Sequence, residues 1–537
     1  MHEAPERIVR RFAAAGNLVV SGQPTAVVPD DDRTAALRDL LRRLGAVICG
    51  LGDAAYVYAD GDTGVRLRGD ELVDGAVVIE CGDEPAFEAG GQAQSEPTRD
   101  PFRAFREAGR LVRVLPARAV RTPVADISDA DARLQWAHDF MSACAVQTQR
   151  LGGMLTGTTF GISMVLEPKT ANLALFLREA GARVVLYAHA DETDPAIAEA
   201  LRRRGFTVHA STHESRQLAN ARAFLAEGLD FLLDDGAHLI RLALLDSVPL
   251  RGAAEETTSG LRPLRAMGDA LTVPVVAVND ARMKTRFDNR YGTGQSCVFA
   301  IADLLDGIGR GFGGSPVTVI GYGPVGEGVA QHVRALGGDV TVVETDPVRE
   351  LEARSAGYVT GPAASALARG GVVISATGMA RTVPVDLLRA APSDTVFAVA
   401  GGVIDEIDLS SALSAGARWE PELAPKVERL RLDASHAVVV LDRGGCINIT
   451  AAEGNPVQIM DYSFAAQLAA ARLLAEGAFP LPGVFPLPPS EDEAIAAGLL
   501  DRPVPAPSSS VPTAVDWLPA RFPDARPTPA PTRESDD

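Results

Sequence analysis

A glycine-rich turn between an apolar run and an amphipathic stretch is the feature that most constrains the fold of this chain. Residues 317–326 read VTVIGYGPVG, and Gly321, Gly323 and Gly326 match the pattern GxGxxG. In that pattern the first glycine allows a tight turn, the second lets the backbone approach a pyrophosphate, and the third lets helix and strand pack closely. Because the N-terminus of a helix stabilises negative charge, the turn predicts a dinucleotide-binding βαβ unit.

An acidic residue follows this turn at the distance expected for ribose recognition. Glu344 ends the next apolar run, 18 residues after Gly326. A carboxylate at this point accepts a hydrogen bond from a ribose 2′-hydroxyl and repels a 2′-phosphate. The sequence therefore predicts NAD, rather than NADP, as the cofactor.

The sequence on both sides of the turn alternates between short apolar runs and amphipathic stretches. Apolar runs of this length, separated by helical periodicity, are typical of parallel sheets covered by helices on both faces. We therefore expect an α/β fold with doubly wound, Rossmann-like sheets. The predicted strands are 183–189, 229–233, 275–279, 317–321, 340–344, 372–377, 396–400 and 437–441, and the predicted helices are 195–204, 294–308 and 326–336.

Composition and charge exclude several classes of protein. The chain has 537 residues and a net charge of −19, which argues against binding to a nucleic acid backbone. Its five cysteines form no CxxC pair, which argues against a disulfide scaffold and a Cys-rich zinc site and suggests a reducing cytoplasm. No run of 18 apolar residues and no secretory leader is visible, so we expect neither a membrane span nor secretion, and no metal-ligand cluster is evident.

Six segments in order along the chain resemble the S-adenosylhomocysteine hydrolase family, particularly its archaeal-type members. The resemblance extends from about Val124 to about Leu499, roughly 70% of the chain. The segments are VLEPKTA (165–171), LLDDG (232–236), EETTSG (255–260), VNDARMKTRFDNRYGTGQS (278–296), INITAAEGNP (447–456) and IMDYSF (459–464).

The resemblance implies two Rossmann-like domains that close over an adenine nucleoside. Residues 121–295, completed by about 446–480, would bind the substrate, and residues 296–445 would bind NAD. Residues 1–120 would be an N-terminal extension of small α/β type, with strands near 46–51 and 75–80, and residues 83–101 read as a linker. Residues 481–537 would be a Pro-rich tail, disordered from about 502. A homo-oligomer, dimer or tetramer, is the family expectation.

In this family, tightly held NAD oxidises the ribose 3′-hydroxyl, the ketone acidifies the 4′ hydrogen, and the 5′ substituent is eliminated. Water then adds, and the ketone is reduced again. Lys284 and Asp288 match the pair at the 3′-hydroxyl, where a lysine with its pKa lowered toward neutral could accept the hydroxyl proton. Asp235 and Glu256 match the carboxylates that hold the ribose and manage protons near C4′.

The resemblance also assigns binding residues. The cofactor-binding residues would be Gly321, Gly323, Val325, Gly326, Glu344, Thr257, Thr258, Ser259, Asn289, Thr377, Ala400 and Asn448, and the substrate-binding residues would be Glu167, Thr293, Asn455, Met460 and His238.

Departures from the family pattern are concentrated around the leaving group. Val165, Gly402 and Asn455 stand where the family has histidines in its HxEAKT or HMT, GHFD and GHP motifs. The family's STQD loop is replaced by YAHADETDP, which brings His189 near the expected 5′ group, and His238 replaces the second acid of LDDGxD. We expect His189 or His238 to act as the acid there, although a single histidine after a strand is more often structural.

Three hypotheses remain open from the sequence. The first is an NAD-dependent lyase or hydrolase on an adenine nucleoside other than S-adenosylhomocysteine, with loss of water to give a 4′,5′-unsaturated nucleoside. The conversion of psicofuranine (angustmycin C) to angustmycin A in nucleoside-antibiotic biosynthesis is such a change. The second is an S-adenosylhomocysteine hydrolase with altered proton carriers. The third is a non-catalytic regulatory paralogue that binds NAD or a nucleoside.

Overall fold

The computed structural model describes residues 3–121, 129–403 and 405–500. The start of the family resemblance at Val124 and the tail expected to be disordered from residue 502 lie outside these residues. Within them the chain forms three β-sheets with helices packed on their faces, so the predicted α/β class is confirmed.

The first sheet belongs to the N-terminal extension and has seven strands in the order β2-β1-β3-β4-β7-β6-β5. Strands β1–β4 and β7 are parallel, and β5, β6 and β7 continue the sheet antiparallel. The predicted linker 83–101 is corrected in part, because its residues 94–96 form a strand that pairs with β6. The elements are α1 (Pro5–Gly16), β1 (Pro24–Val28), α2 (Ala35–Arg43), β2 (Val47–Ile48), β3 (Tyr56–Ala59), β4 (Val77–Glu80), β5 (Gln94–Glu96), β6 (Arg103–Glu107), β7 (Arg110–Leu115) and α3 (Ala117–Arg121).

The second sheet is parallel and doubly wound. Its strand order β10-β9-β8-β11-β12-β13 reverses between β8 and β11, which opens a crevice at the carboxyl ends of these two strands. The elements are α4 (Ala130–Asp139), α5 (Ser142–Leu151), β8 (Thr159–Ser163), α6 (Pro168–Glu179), β9 (Arg183–Tyr187), α7 (Pro195–Arg203), β10 (Thr207–His209), α8 (Gln217–Leu225), β11 (Phe231–Asp234), α9 (His238–Leu245), β12 (Gly252–Glu255), α10 (Thr258–Ala266), β13 (Pro274–Ala277) and α11 (Arg282–Thr285).

The third sheet contains the glycine turn. Its order β16-β15-β14-β17-β18-β21 is parallel and reverses between β14 and β17, and β20 and β19 extend it antiparallel. The elements are α12 (Thr293–Asp306), β14 (Pro316–Ile320), α13 (Pro324–Ala335), β15 (Asp339–Val343), α14 (Pro347–Ser355), β16 (Val359–Thr360), α15 (Ala363–Leu367), β17 (Val372–Ser375), α16 (Val385–Ala390), β18 (Val396–Val399), α17 (Leu409–Ser414), β19 (Arg418–Trp419), β20 (Val427–Arg431), β21 (Ala437–Leu441) and α18 (Ile447–Thr450).

The C-terminal segment returns to the second sheet through α19 (Val457–Ala475), β22 (Gly483–Pro486) and α20 (Pro489–Leu499). Helix α19 packs on α5, and β22 pairs in parallel with β13 at the edge of that sheet. The expectation of a tail from residue 481 is therefore corrected for 483–499. Its prolines are compatible with a strand because an edge strand needs hydrogen bonds on one side only.

The N-terminal extension packs directly against the third sheet's helices. Ile8 and Phe12 of α1 belong to the same apolar core as Cys297 and Val298 of α12. Arg10 is buried beneath them and donates a 2.7 Å hydrogen bond to Asp306. A shared core of this kind makes the extension an integral part of the fold.

Among the described residues, no helix is long and apolar enough to cross a membrane. In the same residues, no group of three His, Cys, Asp or Glu side chains could hold a metal ion.

Candidate active site

The carboxyl ends of the second and third sheets face a common cavity of about 660 Å³. This position follows from the two reversals of strand order, which open both sheets at these ends. The structure brings together nineteen of the twenty-two predicted site residues in the cavity wall: Lys284, Asp288, Asp235, Glu256, Gly321, Gly323, Val325, Glu344, Thr257, Thr258, Ser259, Asn289, Thr377, Ala400, Asn448, Glu167, Thr293, Asn455 and Met460.

A buried lysine lies at the centre of the cavity's polar wall. Lys284 is on the short helix α11, and Asp288 begins the π-helical turn that follows. The Lys284 ammonium donates to Asp288 at 2.6 Å and to Asn289 at 2.9 Å, and lies 4.0 Å from Glu256. The spacing of four residues places the lysine and the aspartate on one face of a helical segment.

The charges around Lys284 set the protonation states of this cluster. Burial disfavours the ammonium, but Asp288, Glu256 and Asp235 outweigh it and raise the pKa of Lys284 above its ordinary value. The expectation of a lysine with a lowered pKa is therefore wrong for this arrangement. Burial raises the pKa of Glu256 to about 7 and that of Asp235 to about 6, against the lowering effect of Lys284.

Asn455 fixes the position of Asp288. Its amide nitrogen donates to Asp288 at 2.6 Å and to Thr293 at 2.9 Å. Its amide oxygen accepts from Ser296 at 2.7 Å and from Asn448 at 3.0 Å. Four hydrogen bonds use the full capacity of an asparagine amide, so these contacts make Asn455 a positioning residue in the wall.

The small polar residues after β12 form the start of helix α10. Thr257 is the N-cap, and its hydroxyl donates to Glu255 at 2.6 Å. Thr258 donates to Asn279 at 3.2 Å, and Ser259 donates to Thr257 at 3.3 Å. These bonds present a rigid polar surface to the cavity, next to Asn289.

Glu167 and Met460 lie at the end of the cavity that the resemblance assigns to adenine. Glu167 caps α6 by accepting from the backbone of Lys169 at 3.0 Å and of Thr170 at 3.2 Å. Its carboxylate also lies 2.7 Å from the Lys169 ammonium. Met460 is half-buried in the wall formed by α19. A helix cap and a binding residue are compatible here because a carboxylate has about four acceptor positions.

The glycine turn has the geometry that a dinucleotide requires. Gly321 has φ of +93°, in the left-handed region, and a Cβ on Gly326 would lie 1.9 Å from the carbonyl oxygen of Gly321. A Cβ on Gly323 would meet only the end of the Arg349 side chain, at 3.3 Å. Packing within the protein therefore requires glycine at 321 and 326, whereas Gly323 leaves open space toward the cavity for a close ligand approach.

Glu344 lies where β15 ends, in the wall beside this turn. It accepts hydrogen bonds from the backbone N–H groups of Tyr322 at 2.6 Å, Thr345 at 2.7 Å and Asp346 at 2.9 Å. Partial burial opposes its charge, but these donors prevail and lower the pKa of Glu344 below its ordinary value. An ionised carboxylate held in this way fits the ribose of NAD and opposes a 2′-phosphate.

Two further residues of this region were not identified from the sequence. Arg349 on α14 lines the cavity beside Gly323, and its position after the second strand of the βαβ unit could have indicated it. Glu406 is fully buried and accepts from Ser375 at 2.7 Å and from the Thr377 backbone at 2.7 Å. No local pattern distinguishes Glu406, because its role depends on the fold bringing β17 next to it.

Three predicted site residues lie outside the cavity wall. Gly326 packs within the turn, as described above. His189 and His238 follow β9 and β11, but their rings pack against each other with centroids 5.2 Å apart. His189 also lies 3.3 Å from the Tyr187 hydroxyl. Burial lowers the pKa of both histidines, so both are neutral at neutral pH, and the structure does not bring either to the cavity as an acid.

The departures from the family pattern do line the cavity. Val165 and Gly402, which stand where the family has histidines, are both in the wall. Neither has a side chain that can transfer a proton. Glu192, within the segment that replaces the STQD loop, lies in the same wall, and the sequence did not single it out.

Comparison with known proteins gives a consistent picture. The family model described as "S-adenosyl-L-homocysteine hydrolase, NAD binding domain" matches residues 289–454. The adenosylhomocysteinase of Thermotoga maritima is 39% identical over 359 residues, which is 65% of this chain and 87% of the relative. The adenosylhomocysteinase of Pyrococcus abyssi is 35% identical over 368 residues, which is 63% of this chain and 82% of the relative. The S-inosyl-L-homocysteine hydrolase of Methanopyrus kandleri is 34% identical over 386 residues, which is 68% of this chain and 88% of the relative.

The matched NAD-binding region contains the glycine turn, Glu344 and Thr377, which is the end of the cavity that fits a dinucleotide. The prediction of NAD as cofactor is confirmed.

Proposed function

Because the chain belongs to the S-adenosylhomocysteine hydrolase family, we propose that it is an NAD-dependent enzyme that removes water from an adenine nucleoside. The product would be a 4′,5′-unsaturated nucleoside. The observation that carries this proposal is a contrast within one cavity. The cavity contains all three residues that we assign to sugar oxidation: Lys284, Asp288 and Glu256. At the positions of two family histidines it contains Val165 and Gly402, which cannot carry a proton for exchange of a thiol.

NAD held by the glycine turn and Glu344 would supply reversible hydride transfer at the 3′-hydroxyl, so that the overall reaction would have no net redox change. The residues of this chain manage the protons. We assign Lys284 to the 3′-hydroxyl: its ammonium would pass one proton to Asp288, 2.6 Å away, as it takes the hydroxyl proton. This relay needs no neutral lysine at rest, which agrees with the raised pKa of Lys284.

The ketone makes the neighbouring C4′ hydrogen acidic, and a carboxylate then removes it. Glu256, with a pKa of about 7, and Asp235, with a pKa of about 6, suit this step because a general base works best when its pKa is near the working pH. As C4′ loses its proton, the C5′–O bond breaks, an alkene forms, and the hydroxyl leaves as water once it is protonated. Apolar Val165 in the wall disfavours the return of that water to the alkene.

The substrate class we propose is an adenine nucleoside with a free hydroxyl on the exocyclic carbon. Psicofuranine, a ketohexose adenine nucleoside that loses water to an exocyclic alkene as it becomes angustmycin A, has the required structure. Hydrolysis of S-adenosylhomocysteine is the second candidate, and the names of the relatives favour it.

The test is to incubate the protein with such nucleosides and to look for products lighter by about 18 mass units. Deuterium placed at C4′ should be lost to solvent. Lys284→Ala and Asp288→Ala should lower turnover by about 10²–10⁴-fold, the usual value of a group that transfers a proton. Arg286→Ala changes an exposed cation on the same segment and should leave turnover unchanged.

Two results would count against this proposal. Unimpaired turnover in both the Lys284 and Asp288 variants would mean that 3′-oxidation is not part of the reaction. Rapid release of homocysteine from S-adenosylhomocysteine, without dehydration of any nucleoside, would favour the hydrolase instead.

A further inference from the structure

We propose that Glu192 is the catalytic acid that protonates the departing C5′ hydroxyl, an assignment that rests on the proposed dehydration. The sequence predicts His189 or His238 as the acid for this step. Neither lines the cavity, whereas Glu192, three residues after His189, does.

The backbone holds Glu192 beside the position where the family's histidine is missing. Its carbonyl oxygen accepts from the Leu166 N–H at 2.9 Å, and Leu166 is paired with Thr193 in an isolated parallel bridge. Val165, directly before Leu166, lines the same cavity. The carboxyl of Glu192 therefore reaches the cavity from the segment that lies against Val165.

Glu192 is a carboxyl without a described partner in the cavity wall. The carboxylates of three other residues in the wall have partners. Glu167 forms an ion pair with Lys169, and Asp288 forms one with Lys284. Glu256 accepts a hydrogen bond from Gln467 at 2.6 Å. By contrast, no described residue donates a hydrogen bond to the Glu192 carboxyl or forms an ion pair with it. An acid must be free to meet its substrate, and Glu192 is free in this sense.

The surroundings of Glu192 keep its proton on at neutral pH. Burial is the largest cause, and the negative charges of Asp235, Asp191 and Asp234 add to it, so that the pKa of Glu192 is raised to about 8. The other titratable groups near it are Tyr187 and Cys446, and burial raises the pKa of each, so both are neutral. No described cation acts on Glu192 to oppose this effect.

A second cavity, of about 920 Å³, lies behind Glu192. Val165, Glu167, Glu192, Ile449 and Gly454 line both cavities and so form the partition between them. Charged groups line part of the second cavity, including Arg133, Asp191 and Asp194, and a cavity of this size with polar partners can hold water. Glu192 can therefore lose its proton to the substrate on one side and regain it from water on the other.

The proposed step balances. The C5′–O bond breaks as the Glu192 proton joins the departing oxygen, which leaves as water. The electron pair of the C4′–H bond becomes the alkene, and its proton remains on Glu256 or Asp235. Glu192 is left as a carboxylate until it takes a proton from water.

The test separates leaving groups. A hydroxyl needs a proton to depart, whereas chloride does not. Wild type and Glu192→Gln are compared on a substrate nucleoside and on its analogue in which the departing hydroxyl is replaced by chloride. With the hydroxyl, Glu192→Gln should be slower by 100-fold or more. With the chloride, it should be within about threefold of wild type, which also shows that the variant is folded and that its oxidation chemistry is intact.

Additional readouts make the assignment specific. Formation of NADH on substrate binding, measured by its absorbance, and loss of C4′ deuterium should persist in Glu192→Gln. The rate with the hydroxyl substrate should fall as pH rises above about 8, and the rate with the chloride should show no such fall. Glu199→Gln, an exposed change on the following helix α7, should behave like wild type, and Glu192→Asp should retain more activity than Glu192→Gln.

The possible contrary results are distinct. Equal losses on hydroxyl and chloride substrates would overturn the assignment of Glu192 and leave the dehydration intact. Full activity of Glu192→Gln on the hydroxyl substrate would do the same. If wild type releases no C4′ deuterium from any nucleoside, the proposed function fails, and the assignment of Glu192 fails with it.

Discussion

At the scale of single residues, Glu344 connects a sequence pattern to cofactor choice. Three backbone N–H groups hold its carboxylate beside the glycine turn, and Arg349 lies close enough to lower its pKa further. If Glu344 binds the ribose as predicted, removing its carboxylate removes a charge-assisted hydrogen bond worth about 1.5–3 kcal/mol. We therefore expect Glu344→Ala to weaken NAD binding by about 10- to 150-fold.

The same variant should bind NADP better than wild type does, because the repulsion of a 2′-phosphate is gone and Arg349 remains. Calorimetric titration with NAD and NADP measures both effects. Glu352→Ala, an exposed change on the same helix α14, is the matched control and should alter neither affinity. Unchanged NAD affinity in Glu344→Ala would contradict the assignment of this residue to the ribose.

At the scale of elements, helix α20 supports the short helix α11 that carries Lys284. Its buried Asp492 accepts from the backbone N–H groups of Arg282 and Met283, each at 2.9 Å, which are the first residues of α11. A helix of four residues has little stability of its own, so this cap from another element holds Lys284 in position.

We expect Asp492→Ala to lower kcat by about tenfold and to destabilise the protein by about 1–2 kcal/mol, the usual cost of losing a cap. Bound NAD should remain near the wild-type level, because α20 does not touch the glycine turn. Rate measurements with quantification of released NAD test this. Glu493→Ala, the exposed neighbour, should have no effect, and an unaffected kcat in Asp492→Ala would show that α11 needs no such support.

At the scale of the whole molecule, Glu453 ties distant parts of the chain together. Its carboxylate meets Arg99 of the N-terminal extension at 2.5 Å and Arg133 of α4 at 2.8 Å. Burial alone would raise its pKa, but Arg99, Lys169 and Arg133 outweigh burial and hold the pKa of Glu453 at about 2. Glu453 precedes Gly454 and Asn455, so this cluster anchors the loop that positions Asp288.

Because the pKa of Glu453 is lowered in the folded state, its ionised carboxylate stabilises that state at pH values above its ordinary pKa of about 4.5. This stabilisation is lost as the pH falls from 4.5 toward 2. Its size at neutral pH is on the order of 3 kcal/mol. Glu453→Gln should therefore lower the urea midpoint at pH 7, and the gap to wild type should narrow between pH 4.5 and 2. Glu422→Gln, an exposed change, should follow wild type throughout. A gap that does not vary with pH would exclude this charge cluster as its cause.

Local patterns along the chain are enough to predict most elements, and together with the family resemblance they predict much of the cavity wall. Apolar runs such as 317–321 and 372–377 predict buried strands because periodicity reports the burial of each segment separately, and strands β14 and β17 lie there. The glycine turn and Glu344 were also predictable, because the constraints on them are local. The resemblance placed Lys284, Asp288 and Glu256 in one site, and the structure brings them together.

The interactions between charged groups that are distant in sequence depend on the fold. The raised pKa of Lys284 depends on the nearby Asp288 and also on Glu256 and Asp235, which are about 30 and 50 residues away in sequence. Residues 483–499 form an edge strand that pairs with β13 and a helix that supports α11. No local pattern in the sequence indicates these two partners. Glu192 lies in the cavity wall and His189 does not. The reason is that the loop after β9 bonds to Leu166 through the backbone carbonyl of Glu192. Distances across the fold, rather than spacing along the chain, set these properties, because electrostatic and hydrogen-bond energies depend on separation in space.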